Sequence, residues 1–198
     1  MRAARRWRPQ TVDASYADGR PSPKAARPVF DRGRLRYRAA MDDDVRRRLL
    51  ELLRSQTVAA LATLHRGEPA VSMVPVALAP EGLLIHVSDL ATHTADMRAH
   101  PRVSLLLMEE AGAPPQARPR LSIVADAAFI DKDSAAYDAA RERYLRRFAQ
   151  AQLTFSLADF ALVHLSPRSA RFVAGFAQAH AVAAAALDDL LRVAAAQP

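Results

Sequence analysis

Residues 57–88 read TVAALATLH, RGE, PAVSMVPVALA, PEG, LLIHVS. Each apolar segment is rich in Val, Leu, Ile, Ala and Thr, and each break carries a glycine, in Arg66-Gly67-Glu68 and in Pro80-Glu81-Gly82. This pattern predicts three strands, at 57–65, 69–79 and 83–88, joined as successive hairpins. Pro75 falls inside the second strand. Proline cannot donate to a sheet ladder, so that strand is expected at an edge or at a bulge.

Working outward, Asp42, Asp43 and Asp44 put negative charge where a helix N-terminus favours it, and Val45, Leu49, Leu52 and Leu53 follow as one apolar stripe. That helix should end near Ser55. On the other side, 89–100 is polar and reads as a loop entering a short helix, with Asp89 or Thr92 near its start. Strands are expected at 102–109 and 120–130, separated by a proline-rich loop. Asp133 or Ser134 can cap a helix that places Tyr137, Ala140, Tyr144, Leu145 and Phe148 on one side. Two last strands, 158–165 and 169–174, flank a turn at Ser166-Pro167-Arg168, and an Ala-rich helix is expected from about 177 to 195. The fold class is therefore mainly β with added α: a small antiparallel barrel with flanking helices.

Of the 198 residues, 51% are hydrophobic, enough for a substantial core. The net charge of +7 is unevenly placed. Residues 1–40 hold eleven Arg or Lys against three Asp, whereas 41–198 are close to neutral. The expected organisation is a disordered Arg/Pro-rich leader at 1–40 and a folded domain at 41–198. The leader has three readings: a basic arm for an acidic partner, a targeting segment, or sequence upstream of a natural start at Met41. Because the domain itself is near neutral, a nucleic-acid partner is not expected. With no cysteine, disulfides, cysteine–zinc sites and thiol nucleophiles are excluded. No apolar run approaches the ~20 residues of a membrane span, and the leader lacks a secretory apolar core, so the expected location is cytoplasmic.

Chemistry-bearing residues concentrate in Ser88-Asp89-Leu90-Ala91-Thr92-His93-Thr94-Ala95-Asp96-Met97. Ser88, Thr92, His93 and Thr94 stand before and at a helix start, where free backbone N–H groups suit an anion. Such hydroxyls serve as helix caps more often than as ligand contacts. His93 is either a phosphate or propionate contact or a residue that bonds the loop. Arg118 and Arg120 can clamp an anionic group or can mark a solvated strand end, with Arg120 favoured because it adjoins the strand. Ser72 either reaches the same ligand or alternates outward. His86 and His164 read as core-edge or solvent-facing residues, and Tyr137, Tyr144 and Phe148 as core. No Ser–His–Asp order, glycine-rich phosphate loop or His-x-x-x-His pair stands out.

The run Ser88–Met97, followed by His100-Pro101, resembles the S-x-L-x-x-H-T-x-N-L pattern of haem-utilisation (HugZ-type) proteins, relatives of pyridoxamine 5′-phosphate oxidase in the FMN-binding split-barrel class. Further stretches match that family in the same order: Ala60–Leu64, Gly67-Glu68-Pro69 with Ser72 and Pro75, Arg118–Leu121, Asp159-Phe160, and Arg171–Phe176. The resemblance covers roughly residues 42–185. It implies a homodimeric split barrel holding a cofactor between subunits, with FMN as the leading expectation and haem as the alternative. The implied activity is that of a flavin-dependent oxidoreductase or a haem-utilisation or haem-degrading protein; the alternative is a non-enzymatic haem or flavin binder or sensor. It implies cofactor contacts from Ser72, Ser88, Thr92, His93, Thr94, Arg118 and Arg120. His180 is a candidate ligand to haem iron, against the simpler reading of a half-exposed residue on the Ala-rich helix. Two departures stand out. His93-Thr94 replaces the Arg-Lys pair that holds the flavin phosphate in pyridoxamine phosphate oxidases, and Asp96 replaces the Asn of the haem-utilisation pattern.

Overall fold

The computed structural model describes residues 41–110, 114–175 and 178–196. Helix α1 (Asp43–Ser55) opens on Asp42, whose side chain accepts from the Val45 N–H, and it buries Val45, Leu49, Leu52 and Leu53 as its spacing predicts. The strands are β1 (Val58–His65), β2 (Glu68–Pro75), β3 (Ala77–Ala79), β4 (Gly82–Ser88), β5 (Arg102–Met108), β6 (Arg120–Phe129), β7 (Phe160–Gly175) and β8 (Gln178–Ala183). Helices α2 (Thr92–Ala99), α3 (Ala135–Arg147), α4 (Gln152–Phe155) and α5 (Ala184–Ala195) complete the order. No helix among the described residues is long and apolar enough to cross a membrane.

All strand pairings are antiparallel, in the order β2-β1-β5-β6-β7-β4-β3, with β8 added beside β7. β2 and β3 stand at opposite ends of this order, yet only Val76 separates Pro75 from Ala77. One residue cannot span an open sheet of that width. The sheet therefore curls until its ends meet, and the Val76 N–H closes onto the Thr57 carbonyl at 2.9 Å. The fold is a split β-barrel with flanking helices.

Local chemistry accounts for the joints. Arg66 (φ 53°) and Gly67 (φ 87°) both lie in the left-handed region, the signature of a type I′ hairpin turn between β1 and β2. The barrel interior is filled by Leu61, Leu83, Ile85, Leu105, Leu107, Leu121, Ile123 and Phe172, joined by the apolar faces of α1 and α5. Full burial of side chains of this size stabilises by roughly 1.5–3 kcal/mol each. A second cluster lies on the other face of β4, where Leu84 and the neighbouring Leu162 of β7 meet Ala140 and Tyr144 of α3 and Phe148 just beyond its end. Both faces of β4 are thus covered, which explains why LLIHV is nearly continuous in its apolar character.

Three expectations need correction. The strand expected at 69–79 is two strands, because Pro75 ends β2 and the chain crosses to the opposite edge. The turn expected at Ser166-Pro167-Arg168 is absent: β7 runs unbroken for 16 residues. It absorbs Pro167 at a register shift opposite Val124 and Ala125, a bulge being where sheet proline is tolerated. The last helix begins at Ala184, since 178–183 forms β8 against β7. Alanine's helix propensity there is weaker than the gain from pairing with β7.

Candidate functional site

α2 lies against β1 on the barrel side of the β1–β2 hairpin. Its starting residue, Ala91, provides no side-chain cap, and no acidic residue occupies its first turn. The hydroxyls expected there go elsewhere. Thr94 is 1% exposed, and its Oγ1 donates to the Ser88 carbonyl at 2.7 Å. Ser88 Oγ donates to Asp159 Oδ2 at 2.8 Å and accepts from the Leu90 N–H. Ser88 and Thr94 therefore shape the loop before α2. Thr92 is exposed at the first helical position.

His93 points back to the hairpin, with Nδ1 3.1 Å from Ser72 Oγ. Ser72 pairs with Leu61 and so shares the barrel-side face of the hairpin. One helical turn on, Asp96 is 5% exposed. Its Oδ2 accepts from Thr63 Oγ1 and its Oδ1 lies against His65 Nδ1, both at 2.8 Å. Burial works to raise the Asp96 pKa, but the hydrogen bonds from His65 and Thr63 outweigh it and hold the carboxyl below its ordinary range. Asp96 is thus a buried carboxylate at neutral pH, and His65 Nδ1 is the donor. Burial lowers the His93 pKa against the opposing pull of Asp96, so His93 is a neutral imidazole at pH 7. No described residue bonds its Nε2. If Ser72 donates to Nδ1, Nε2–H is a donor; if Nδ1–H donates to Ser72, Nε2 presents a lone pair.

The remaining candidates lie apart from this group. Arg120 is three residues from Ile123, which shares the inward face with Leu105 and Leu61, so Arg120 projects from the outer face of the barrel. There its Nη1 donates to the carbonyls of Arg118 and Gln116, while Arg118 Nη1 donates to the Glu110 carbonyl. A single protomer does not bring these arginines to His93. His180 lies on β8 opposite Phe172, at the far side of the sheet from β2, and not on a helix.

Thr63 and His65 were not singled out by sequence reading, and Asp96 stood out there only as a departure from the haem-utilisation pattern. The α2 spacing of His93 and Asp96, three apart and so on one helix face, was the available signal. Their contact with β1 depends on strand register. His86 takes the core-edge place expected of it, half-buried beside the second apolar cluster. Its ring stacks on Phe155 at 3.9 Å and meets Tyr144 edge-on at 5.7 Å. Burial, with a smaller push from Lys132, brings its pKa down to about 4.

The model of the family described as pyridoxamine 5′-phosphate oxidase matches residues 45–174. The chain belongs to this family. Within it, the chain falls in the haem-utilisation branch. It is 33% identical over 135 residues to "Heme oxygenase HutZ" of Vibrio cholerae, covering 66% of this chain and 75% of that relative. It is 34% identical over 119 residues to the chloroplastic haem oxygenase HOZ of Arabidopsis thaliana, covering 58% of this chain but 35% of that protein. The solved structure of a haem-binding protein from Mycobacterium smegmatis matches with a TM-score of 0.68 at 25% identity, over 75% of this chain and 62% of that one. This member of the family therefore spans about a third of the Arabidopsis protein and just under two thirds of the mycobacterial one, and the α2–hairpin group lies inside the matched region.

Proposed function

We propose that the protein binds haem at the α2–hairpin site and serves haem utilisation or degradation. The observation that carries this reading is His93: a neutral imidazole fixed by Ser72, with Nε2 unbonded, beside a carboxylate that His65 and Thr63 hold in place. Such an imidazole suits iron or a neutral hydrogen bond better than it suits a doubly charged phosphate. The first turn of α2, Thr92-His93-Thr94, carries no Arg or Lys in place of the missing Arg-Lys pair; Arg98, on the same helix, is engaged by Asp89 at 2.8 Å. The relatives named for haem support the same direction. Bound haem supplies a redox-active iron, while the chain supplies orientation and electrostatics. FMN remains the second reading, favoured by the uncapped, acid-free first turn of α2, whose N–H groups can receive a phosphate. Parallel titrations of the purified chain with haemin and with FMN decide between them. A saturable Soret change with haemin and no quenching of FMN fluorescence is expected; the reverse pattern would move the assignment to flavin.

The site extends, in this reading, across a homodimer. Val71 and Met73 on the outer face of β2 are 72% and 74% exposed, and Leu64 and Met108 share that face. An apolar sheet face of this kind is suited to a second copy of the chain. Arg120 pairs with Met108 and lies on the same outer face, so dimerisation is the route by which it approaches a cofactor. Wild-type protein is expected to sediment as a dimer and Val71→Glu/Met73→Glu as a monomer with weakened haemin binding. A monomeric wild type that binds haemin fully would remove the partner from the site.

The boundary at Met41 belongs to the same proposal. The family match begins at residue 45, and α1 starts on its own N-cap at Asp42. Removal of residues 1–40 is expected to leave the melting temperature and haemin affinity unchanged. A large drop in either would make the leader part of the domain.

A further inference from the structure

Away from α2, a cleft of about 700 Å³ lies over β3 between α3 and α5. Arg143, Arg146 and Arg147 enter it from α3, and Arg192 enters from the last turn of α5, while Leu78 and Pro80 form part of an apolar floor. The α3 spacing of i, i+3 and i+4 places three guanidinium groups on one helix face. Among the described residues that line the cleft, none is a carboxylate.

Two of these arginines are accounted for by surface ion pairs: Arg146 with Glu142, and Arg192 with Glu81 and Asp189. Arg147 has a structural task, because its Nη2 donates to the carbonyls of Arg54 and Gln56 at the end of α1. That task leaves its Nε buried with no hydrogen-bond partner. Among the described residues, neither Arg143 nor Arg147 has a carboxylate within ion-pair distance. Burial lowers the Arg147 pKa with nothing to oppose it. A buried donor on a cation without a counter-ion is costly unless an anion reaches it. Helix-dipole compensation at the end of α3 explains a cation in the last turn, but not a row of three facing an apolar floor.

We propose that this cleft is a second binding site, separate from the α2 group, for an amphiphilic organic anion: one carboxylate or phosphate head on an apolar tail. The head group lies between Arg143 and Arg147, and the tail lies on Leu78, Pro80 and the alanines at the end of α5. The volume is in the usual range for small-ligand sites, roughly 300–1,000 Å³. None of the residues assigned to the haem site lines the cleft, so the inference stands apart from that reading.

Calorimetric titration of the full chain with dodecanoate, dodecyl phosphate and inorganic phosphate tests it. At least one amphiphile is expected to bind saturably, and inorganic phosphate more weakly, because it lacks the tail. Which amphiphile binds tighter identifies the head group. Arg143→Gln/Arg146→Gln should weaken amphiphile binding by at least about tenfold. Arg143→Lys should retain part of it, and Arg46→Gln, an exposed change on α1, should leave it unaltered. The proposal is overturned if neither amphiphile binds the wild type, or if the double variant binds as the wild type does. It is equally overturned if the double variant loses haemin while keeping the amphiphiles. Melting curves of the variants establish that they are folded.

Discussion

Replacing Gly82 with alanine is expected to destabilise the protein by about 2–3 kcal/mol, the upper part of the range for forcing atoms into a packed core. A Cβ at Gly82 would lie 2.4 Å from the Leu165 carbonyl oxygen and under 3 Å from two atoms of the His164 ring. The oxygen belongs to the backbone of β7, and Leu83↔Leu165 is the adjoining pair of the β4–β7 ladder. Relief therefore requires β4 to part from β7, not a rotamer change. Gly67 provides the contrast. It needs a positive φ of 87°, but a Cβ there meets nothing within 4 Å. Gly67→Ala should cost only the left-handed strain, about 1–2 kcal/mol. Urea denaturation with unchanged slope measures both. A Gly82→Ala variant no less stable than Gly67→Ala would contradict the close approach of β4 and β7.

The second large effect concerns acid stability. The His86 ring lies among Phe155, Tyr144 and Phe160, its Nδ1 is 3.3 Å from Thr154 Oγ1, and its buried Nε2 has no partner. The folded imidazole titrates at about 4, against 6.5 when unperturbed. Between those values the unfolded chain binds a proton that the folded chain refuses. Stability is therefore full above pH 6.5 and falls as pH drops toward 4. At pH 5 the loss is about 1–2 kcal/mol, allowing for the partial exposure of the ring. His86→Phe keeps an aromatic ring in the cage and removes the titration. The stability difference between pH 7.5 and pH 5 should shrink by that amount in the variant. His93 and His164, also lowered by burial, keep a remainder of the acid dependence. An unchanged acid limb in His86→Phe would place His86 outside the buried aromatic cluster.

These two residues mark what a linear sequence conveys. The barrel was legible because the hairpin turns at Arg66-Gly67 and Pro80–Gly82 and the apolar strands are local signals. The crossing at Val76 was half-visible, since Pro75 pointed to an edge or a bulge without showing that the strand ends there and the chain crosses over. Pro167 misled because a bulge and a turn share the same residue preferences, and only β6 on the other side decides between them. The alanines of 178–183 were drawn into a strand by β7, a tertiary effect that propensity does not carry. In the candidate site, His93 and Ser72 stood out by residue type, but Thr63 and His65 join through the register of β1 beneath α2. Ser88 and Thr94 were prominent for the same reason and proved to bond the loop itself. Arg120 shows the remaining limit: its face of the sheet follows from pairing, and only in the proposed dimer does it have a route to a cofactor.

The central claim is that His93, set by Ser72 and the Asp96 group, contacts haem. The direct measurement is a haemin titration of wild type and His93→Ala followed at the Soret band, with folding checked by circular dichroism. The account predicts that His93→Ala stays folded and weakens haemin binding by at least about tenfold, equivalent to 1.4 kcal/mol. A shifted Soret band would add that His93 ligates the iron, and loss of affinity at an unchanged band position would make it a hydrogen-bond contact. Wild-type affinity and spectrum in a folded His93→Ala protein, with both lost in His180→Ala, would contradict the account and move the haem site to β8.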